Sequence, residues 1–175
     1  FQSENLGTVV SVFNFLFQRG LVTSWRPLLS TLATVKIAGR MQKIADHPPI
    51  ILDGAHNPDA AKQLTQTISK FPHNKVIMVL GFLADKNISP MVKIYQQMAD
   101  EIIITTPDHP TRALEANELK SVLPQATIAD NPRKGLVMAK KIAEPNDLII
   151  VTGSFYTIKD IEANLDDKQL YSCNP

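Results

Sequence analysis

The sequence predicts an α/β fold: a mostly parallel sheet with helices on both faces and an antiparallel hairpin at one edge, preceded by a short helical segment. Three observations predict it. Short apolar runs recur along the chain, at Pro49 to Leu52, Lys75 to Leu80, Glu101 to Thr105 and Asp147 to Thr152. Stretches of helical period separate most of them, and strand, helix, strand repeated in this way specifies parallel strands covered on both sides. The third observation is a link too short for a parallel crossover. Only a few residues, Pro48 among them, separate a strand-like segment at Arg40 to Ile44 from the one at Pro49 to Leu52, so that pair is expected to run antiparallel.

Taken in order, residues 3 to 19 place Val9, Val12, Phe13, Leu16 and Phe17 at helical spacing, and a shorter helix is expected over Pro27 to Leu32. The pattern then changes near Val35. Residues 1–36 are therefore assigned to a helical segment and linker, and 37–175 to the sheet domain. In that domain the strands are expected at Arg40 to Ile44, Pro49 to Leu52, Lys75 to Leu80, Glu101 to Thr105, Ala126 to Ile128 and Asp147 to Thr152. Helices are expected at Asp59 to Phe71, Ser89 to Met98, Glu115 to Val122, Pro132 to Ile142 and Tyr156 to Leu165. The result is a Rossmann-like arrangement, in which ligands gather at the carboxyl ends of the strands.

Composition narrows the function classes. A chain of 175 residues with 44% hydrophobic residues supplies a sizeable core, enough for one domain and an appendage. The net charge of +1, with its 18 basic residues in no run or stripe, argues against a nucleic-acid surface. No stretch approaches the ~20 apolar residues of a membrane span. The single cysteine, Cys173, can form no internal disulfide, as suits a reducing cytosol, so a cytoplasmic protein is expected.

The chemistry concentrates in one hexapeptide. Asp53-Gly54-Ala55-His56-Asn57-Pro58 follows the apolar run Ile50-Ile51-Leu52 and precedes an amphipathic helix, which puts a carboxylate, an imidazole and an amide on one strand-to-helix turn. Asn57 and Pro58 are accounted for by capping, since an N-cap amide followed by a proline is an ordinary helix start. Asp53 and His56 are not, and they are the candidates for chemistry. Further polar residues fall after other expected strands: Gly81 to Lys86, Thr106 to Arg112 and Gly153-Ser154. In a parallel sheet these all belong to one rim.

With these residues in view, the chain resembles the C-terminal part of folylpolyglutamate synthase, often bifunctional with dihydrofolate synthase, in the Mur ligase superfamily of ATP-dependent amide-forming enzymes. The resemblance covers essentially the whole chain in order: Gln2 with Asn5, Gly39-Arg40-Met41, the Asp53 to Pro58 motif, Gly81 with Asp85-Lys86, Arg112-Ala113, and Thr152-Gly153-Ser154. The motif is the specific part. Two positions depart from the family: Asn87 stands where Asp is usual after Asp85-Lys86, and Ala38 where Pro often precedes the Gly-Arg pair.

The resemblance implies an enzyme in which ATP converts a folate or dihydropteroate carboxylate to an acyl phosphate, which L-glutamate then attacks. It assigns Asp53 to the nucleotide sugar or phosphate region, Arg40 to the ATP phosphates and Asn5 to the nucleotide base. His56 and Ser154 fall on the glutamate side, and Asp53, His56 and Ser154 make the catalytic set. Asp85, Lys86 and Arg112 are as readily surface charges as substrate contacts. Mg²⁺ is expected to be held mainly by ATP and by an N-terminal ATPase domain. No Gly-rich phosphate loop ending in Lys and Ser or Thr is present, and the chain opens on Phe1, so it is expected to be a fragment that is inactive alone. Gly153-Ser154 lacks the Gly-x-Ser-x-Gly spacing of a nucleophile elbow, and His47, His73 and His109 have no ligand-like spacing. Another Mur-type ligase, or a non-catalytic α/β binding or regulatory module, is the alternative.

Overall fold

The computed structural model describes residues 2–35 and 37–163. Cys173 and the last residues of the helix expected over Tyr156 to Leu165 lie outside the described residues. Contacts divide the chain into two compact units, Phe1–Ile37 and Ala38–Pro175.

The first unit is helical, as its periodicity predicted, with α1 at Gln2–Gln18 and α2 at Arg26–Thr34. Trp25 holds it together from the link between the helices, its ring 4.9 Å from that of Phe13 and 5.8 Å from that of Phe17. Much apolar surface remains open. Val9, Val12 and Phe15 are exposed, and no residue of α2 is buried.

The second unit runs β1 (Gln42–Asp46), β2 (Pro49–Leu52), α3 (Pro58–Ile68), β3 (Val76–Leu80), α4 (Ile88–Gln96), β4 (Glu101–Thr105), α5 (Ala116–Val122), β5 (Thr127–Ala129), α6 (Pro132–Ile142), β6 (Leu148–Thr152) and α7 (Phe155–Glu162). Its six-stranded sheet has the order β1-β2-β6-β3-β4-β5. Only β1 runs antiparallel, against β2, and the other neighbours are parallel. The last strand therefore lies in the middle, and β2, β6, β3 and β4 bring their carboxyl ends to one edge.

Why these runs are strands is visible in where alternate residues go. Ile51, Met78, Leu80, Ile104 and Ile150 pack with Leu64 and Ile68 of α3, Met91 and Tyr95 of α4 and Leu119 of α5. Their neighbours Ile50, Leu52, Ile77, Val79, Ile103, Ile149 and Val151 face the other way, onto Leu136 and Ala139 of α6 and Ile158 and Ile161 of α7. Central strands buried on both faces read as unbroken apolar runs rather than alternating ones. One expected boundary moves for a reason that matters below. The strand expected from Arg40 begins only at Gln42, because Gly39 and Met41 both have positive φ, 63° and 47°, and the chain there is a turn.

Candidate active site

Each expected site segment of the second unit lies on the carboxyl edge of the sheet. Backbone bonds from Asp53 N to Val151 O (3.0 Å) and from Gly81 N to Thr152 O (3.2 Å) continue the ladder past the strand ends, so the loops leave from a fixed platform. The Asp53 carboxylate is buried and accepts two backbone hydrogen bonds, from Ala55 N to Oδ1 and from Met41 N to Oδ2, both 2.9 Å. Gly54 N donates to Gly39 O at 2.7 Å. Asp53 thus pins the Gly39-Arg40-Met41 turn against the motif, a duty that its position in the sequence does not announce. Burial pushes its carboxyl up from the ordinary value, against the opposing pull of the two N–H bonds and of Arg40 and His56.

His56 is oriented by its own loop. Its Nδ1 lies 2.8 Å from Gly54 O, and because a carbonyl only accepts, that nitrogen must carry the proton. In the neutral ring Nε2 is then left as an acceptor or base. Asn57 caps α3, its side chain accepting from Ala60 N at 2.8 Å, with Pro58 in the first turn, as expected.

Sequence reasoning missed the residue between these groups. Phe155, the first residue of α7, carries the Arg40 guanidinium over its ring at 4.8 Å from the centroid, and the His56 ring lies tilted at 6.0 Å. An exposed aromatic directly after Gly153-Ser154, at the start of a helix, was the available signal.

Ser154 is 2% exposed and caps α7. Thr157 N donates to its Oγ at 3.1 Å, and the two side-chain oxygens lie 2.8 Å apart. Thr157 Oγ1 donates its one proton to Gly81 O at 2.9 Å, so the Ser154 hydroxyl must donate to Thr157 Oγ1. The chain Ser154 to Thr157 to Gly81 ties the end of β6 to the end of β3. It also occupies the proton that a direct contact with an amino acid would use. Gly153, at φ 105°, permits this crossing: a Cβ there would stand 2.5 Å from Gly81 O.

Asp85, Lys86 and Arg112 form a separate group. Asp85 accepts Lys86 at 3.4 Å and Arg112 at 3.5 Å; partial desolvation tends to raise its carboxyl, but the two cations outweigh it and hold it below the ordinary value. His109 Nδ1 accepts the backbone N–H groups of Thr111 and Arg112 at 3.2 and 3.0 Å, so a neutral ring has its proton on Nε2. The 3.2 Å approach of Arg112 Nε to that nitrogen is then a meeting of two donors, not a hydrogen bond. The His109 ring is edge-on to Tyr156 at 4.5 Å. Beneath the rim, burial pushes the Tyr95 hydroxyl well up; the neighbouring Thr152 hydroxyl opposes the rise and Asp53 adds to it. Asn5 is exposed on α1 in the other unit.

A cleft of 420 Å³ at the ends of β4 and β5, between Thr106, Asp108, Asn131, Arg133 and Asp160, includes none of the motif residues. Among the described residues no group of three or more His, Cys, Asp or Glu could hold a metal ion, and no helix is long and apolar enough to cross a membrane. An anionic ligand does fit what is present: Arg40 offers a guanidinium held over the Phe155 ring at the rim, and His56, with a defined proton, approaches the same ring.

Residues 39–155 match the family model described as Mur ligase, glutamate ligase domain. The dihydrofolate synthase/folylpolyglutamate synthase of Bacillus subtilis is 30% identical over 141 residues, covering 79% of this chain and 33% of that protein. Among solved structures, a bifunctional folylpolyglutamate synthase/dihydrofolate synthase with Mn, AMPPNP and L-glutamate bound is 31% identical with a TM-score of 0.69, covering 73% of this chain and 31% of that one. Escherichia coli FolC in complex with DHPP and ADP is 29% identical with a TM-score of 0.76, covering 82% and 35%. The chain spans about a third of the length of the curated relatives it matches.

Proposed function

The chain belongs to the Mur ligase family through its glutamate ligase domain, and we propose that it works as that domain in an ATP-dependent ligase joining L-glutamate to a folate or to dihydropteroate. The observation that carries the proposal is the placement of Arg40 and His56 around one ring, that of Phe155, on the carboxyl edge, with Asp53 fastening the Arg40 turn to the motif. Support comes also from the relatives, whose solved forms bind ADP or AMPPNP, Mn, L-glutamate and DHPP.

The reaction asks for charge neutralisation and alignment. The carboxylate of the acceptor attacks the terminal phosphorus of ATP, giving an acyl phosphate and ADP; the glutamate amine then adds to the acyl carbon, and collapse of the tetrahedral intermediate expels phosphate and leaves an amide. Arg40, as a planar fork of donors, stabilises the phosphate charge during both transfers. His56, protonated on Nδ1 and open at Nε2, addresses the glutamate side, where an acceptor can take the proton that the attacking ammonium must lose. Asp53 acts by holding the Arg40 turn against the motif, and Ser154 by fixing the start of α7. Lys86 and Arg112, gathered by Asp85, supply further positive charge for a substrate carboxylate. Asn5 contacts the nucleotide base, from a helical segment that ends an ATPase domain. Mg²⁺ would be held mainly by ATP and that domain, where it would neutralise phosphate charge; among the described residues no group of three or more His, Cys, Asp or Glu could hold it.

The test is reconstitution. The protein comprising this domain and an ATPase domain should convert ATP and glutamate to ADP, phosphate and a glutamylated pteroate or folate. A two-domain protein that binds AMPPNP yet ligates glutamate to neither acceptor would favour another Mur-type ligase, and one that binds no nucleotide would favour a non-catalytic module.

A further inference from the structure

The ring of Phe155 stands where two separate parts of the site meet. A Cβ on Gly54 would lie 2.6 Å from its Cε1 and Cζ and 2.8 Å from its Cε2, and a Cβ on Gly39 would lie 3.1 Å from Cε1. Real Cβ atoms do not approach to 2.6 Å, so the Gly54 turn meets the ring with a bare Cα, while Gly39, whose φ of 63° already calls for glycine, stands tight against the same ring. Above it rests the Arg40 guanidinium, at 4.8 Å, and beside it the His56 ring, at 6.0 Å. Core packing does not explain the residue: Phe155 is 40% exposed, whereas Ile158 one turn on is 1% exposed. A guanidinium over an aromatic face is attracted by the ring quadrupole and loses side-chain freedom.

We propose that Phe155 is the positioning residue of this site, setting the directions of the Arg40 guanidinium and the His56 imidazole together, and that Gly54 is a glycine in order to admit its ring. It acts through those two side chains and touches no reacting atom. The inference rests on the ligase reading for its consequences in catalysis, but its geometric content is independent of that reading.

The experiment compares Phe155→Leu, Phe155→Tyr, Gly54→Ala and the Gly54→Ala/Phe155→Leu double variant in the full-length protein. Calorimetric binding of AMPPNP, kcat and KM for glutamate, and the NMR signal of the His56 ring without nucleotide are measured on each. Leu keeps bulk without a π face, and should weaken AMPPNP on the order of tenfold through a misdirected Arg40, shift the His56 signal and lower kcat. Tyr should restore all three. Gly54→Ala should reproduce the Leu defect because its Cβ displaces the ring, and the double variant should be no worse than either single one. A Leu variant with native AMPPNP affinity and an unmoved His56 signal would overturn the proposal, as would losses in the double variant that multiply. Should Leu fail to fold, Gly54→Ala against Tyr still decides. A wild-type protein that neither binds AMPPNP nor ligates defeats the ligase reading alone, and the His56 signal then judges the positioning role by itself.

Discussion

Asp53→Ala is expected to lower stability and ligation together, and the structure sets the size of each. The carboxylate accepts two backbone N–H groups, of Met41 and Ala55, each at 2.9 Å. Leaving the buried Ala55 donor unpaired costs about 1 to 3 kcal/mol, and the part-buried Met41 N–H, which water can partly satisfy, adds less, for a total of about 1 to 4. Alanine also removes a buried charge whose unfavourable burial the raised carboxyl pKa reveals, which offsets part of that loss. A net loss of about 1 to 3 kcal/mol remains, or a melting temperature lower by roughly 2 to 12 °C for a chain of this size. Freed from its tie, the turn carrying Arg40 should misplace the guanidinium and cut ligation by at least about tenfold, with ATP affinity affected. The pH dependence carries the same signature with opposite signs. Because the folded-state pKa lies above the ordinary 3.8, the folded protein binds this proton more tightly than the unfolded one. Asp53 therefore makes stability fall as pH rises through the window between the two values, while ligation loses its acid limb as pH falls through the raised value. Asp53→Asn, which cannot titrate, should lose both contributions. Thermal melts and steady-state rates across pH measure all of this. An Asp53→Ala protein with an unchanged melting temperature and unchanged ATP dependence would refute the reasoning.

Neighbouring positions separate chemistry from architecture. His56→Ala should reduce ligation by at least about tenfold, most clearly with glutamate varied, while Asn57→Ala should mainly lower the melting temperature by the roughly 1 kcal/mol of a lost cap; a His56→Ala enzyme with native kinetics would reduce the motif to a helix start. Gly153→Ala should be among the more damaging single changes outside the motif, costing upward of about 1 to 3 kcal/mol, because its φ of 105° and a Cβ 2.5 Å from Gly81 O strain both backbone and packing; a native melting curve would contradict it. Residues 1–175 alone should show neither ATP hydrolysis nor folate-dependent ligation, and turnover by the highly purified chain would defeat the division of labour proposed here.

How much of this was legible in the sequence follows from which interactions are local. Strands such as Val76–Leu80 and Leu148–Thr152 announce themselves because both faces are buried and every residue must be apolar. The antiparallel edge was legible because a few residues permit no other connection. The Asn57-Pro58 cap needs only residues within one turn. By contrast, the positive φ at Met41 depends on a carboxylate twelve residues later, so the segment at Arg40 read as strand when it is a turn. The occupation of the Ser154 hydroxyl depends on Thr157 and on a carbonyl of another strand. Phe155 passed unnoticed because its partners are two glycines, an arginine and a histidine drawn from distant parts of the chain, and no local pattern encodes such a meeting.

In the role proposed for it, an arginine at position 40 would gain from that distant meeting. A free arginine side chain carries about 2 kcal/mol of rotamer entropy, much of which is lost when the guanidinium grips a ligand. Here the backbone turn is fastened by Asp53 and by the bond from Gly54 N to Gly39 O, and the guanidinium already lies on the Phe155 ring. Part of the ordering cost is met in folding, before any phosphate arrives. A lysine at the same position would keep the charge but lose the planar fork and most of the stacking, so Arg40→Lys tests preorganisation rather than charge. It should leave the salt dependence of AMPPNP binding nearly unchanged while weakening the affinity itself, and equal affinities for the two proteins would mean that charge alone accounts for the site.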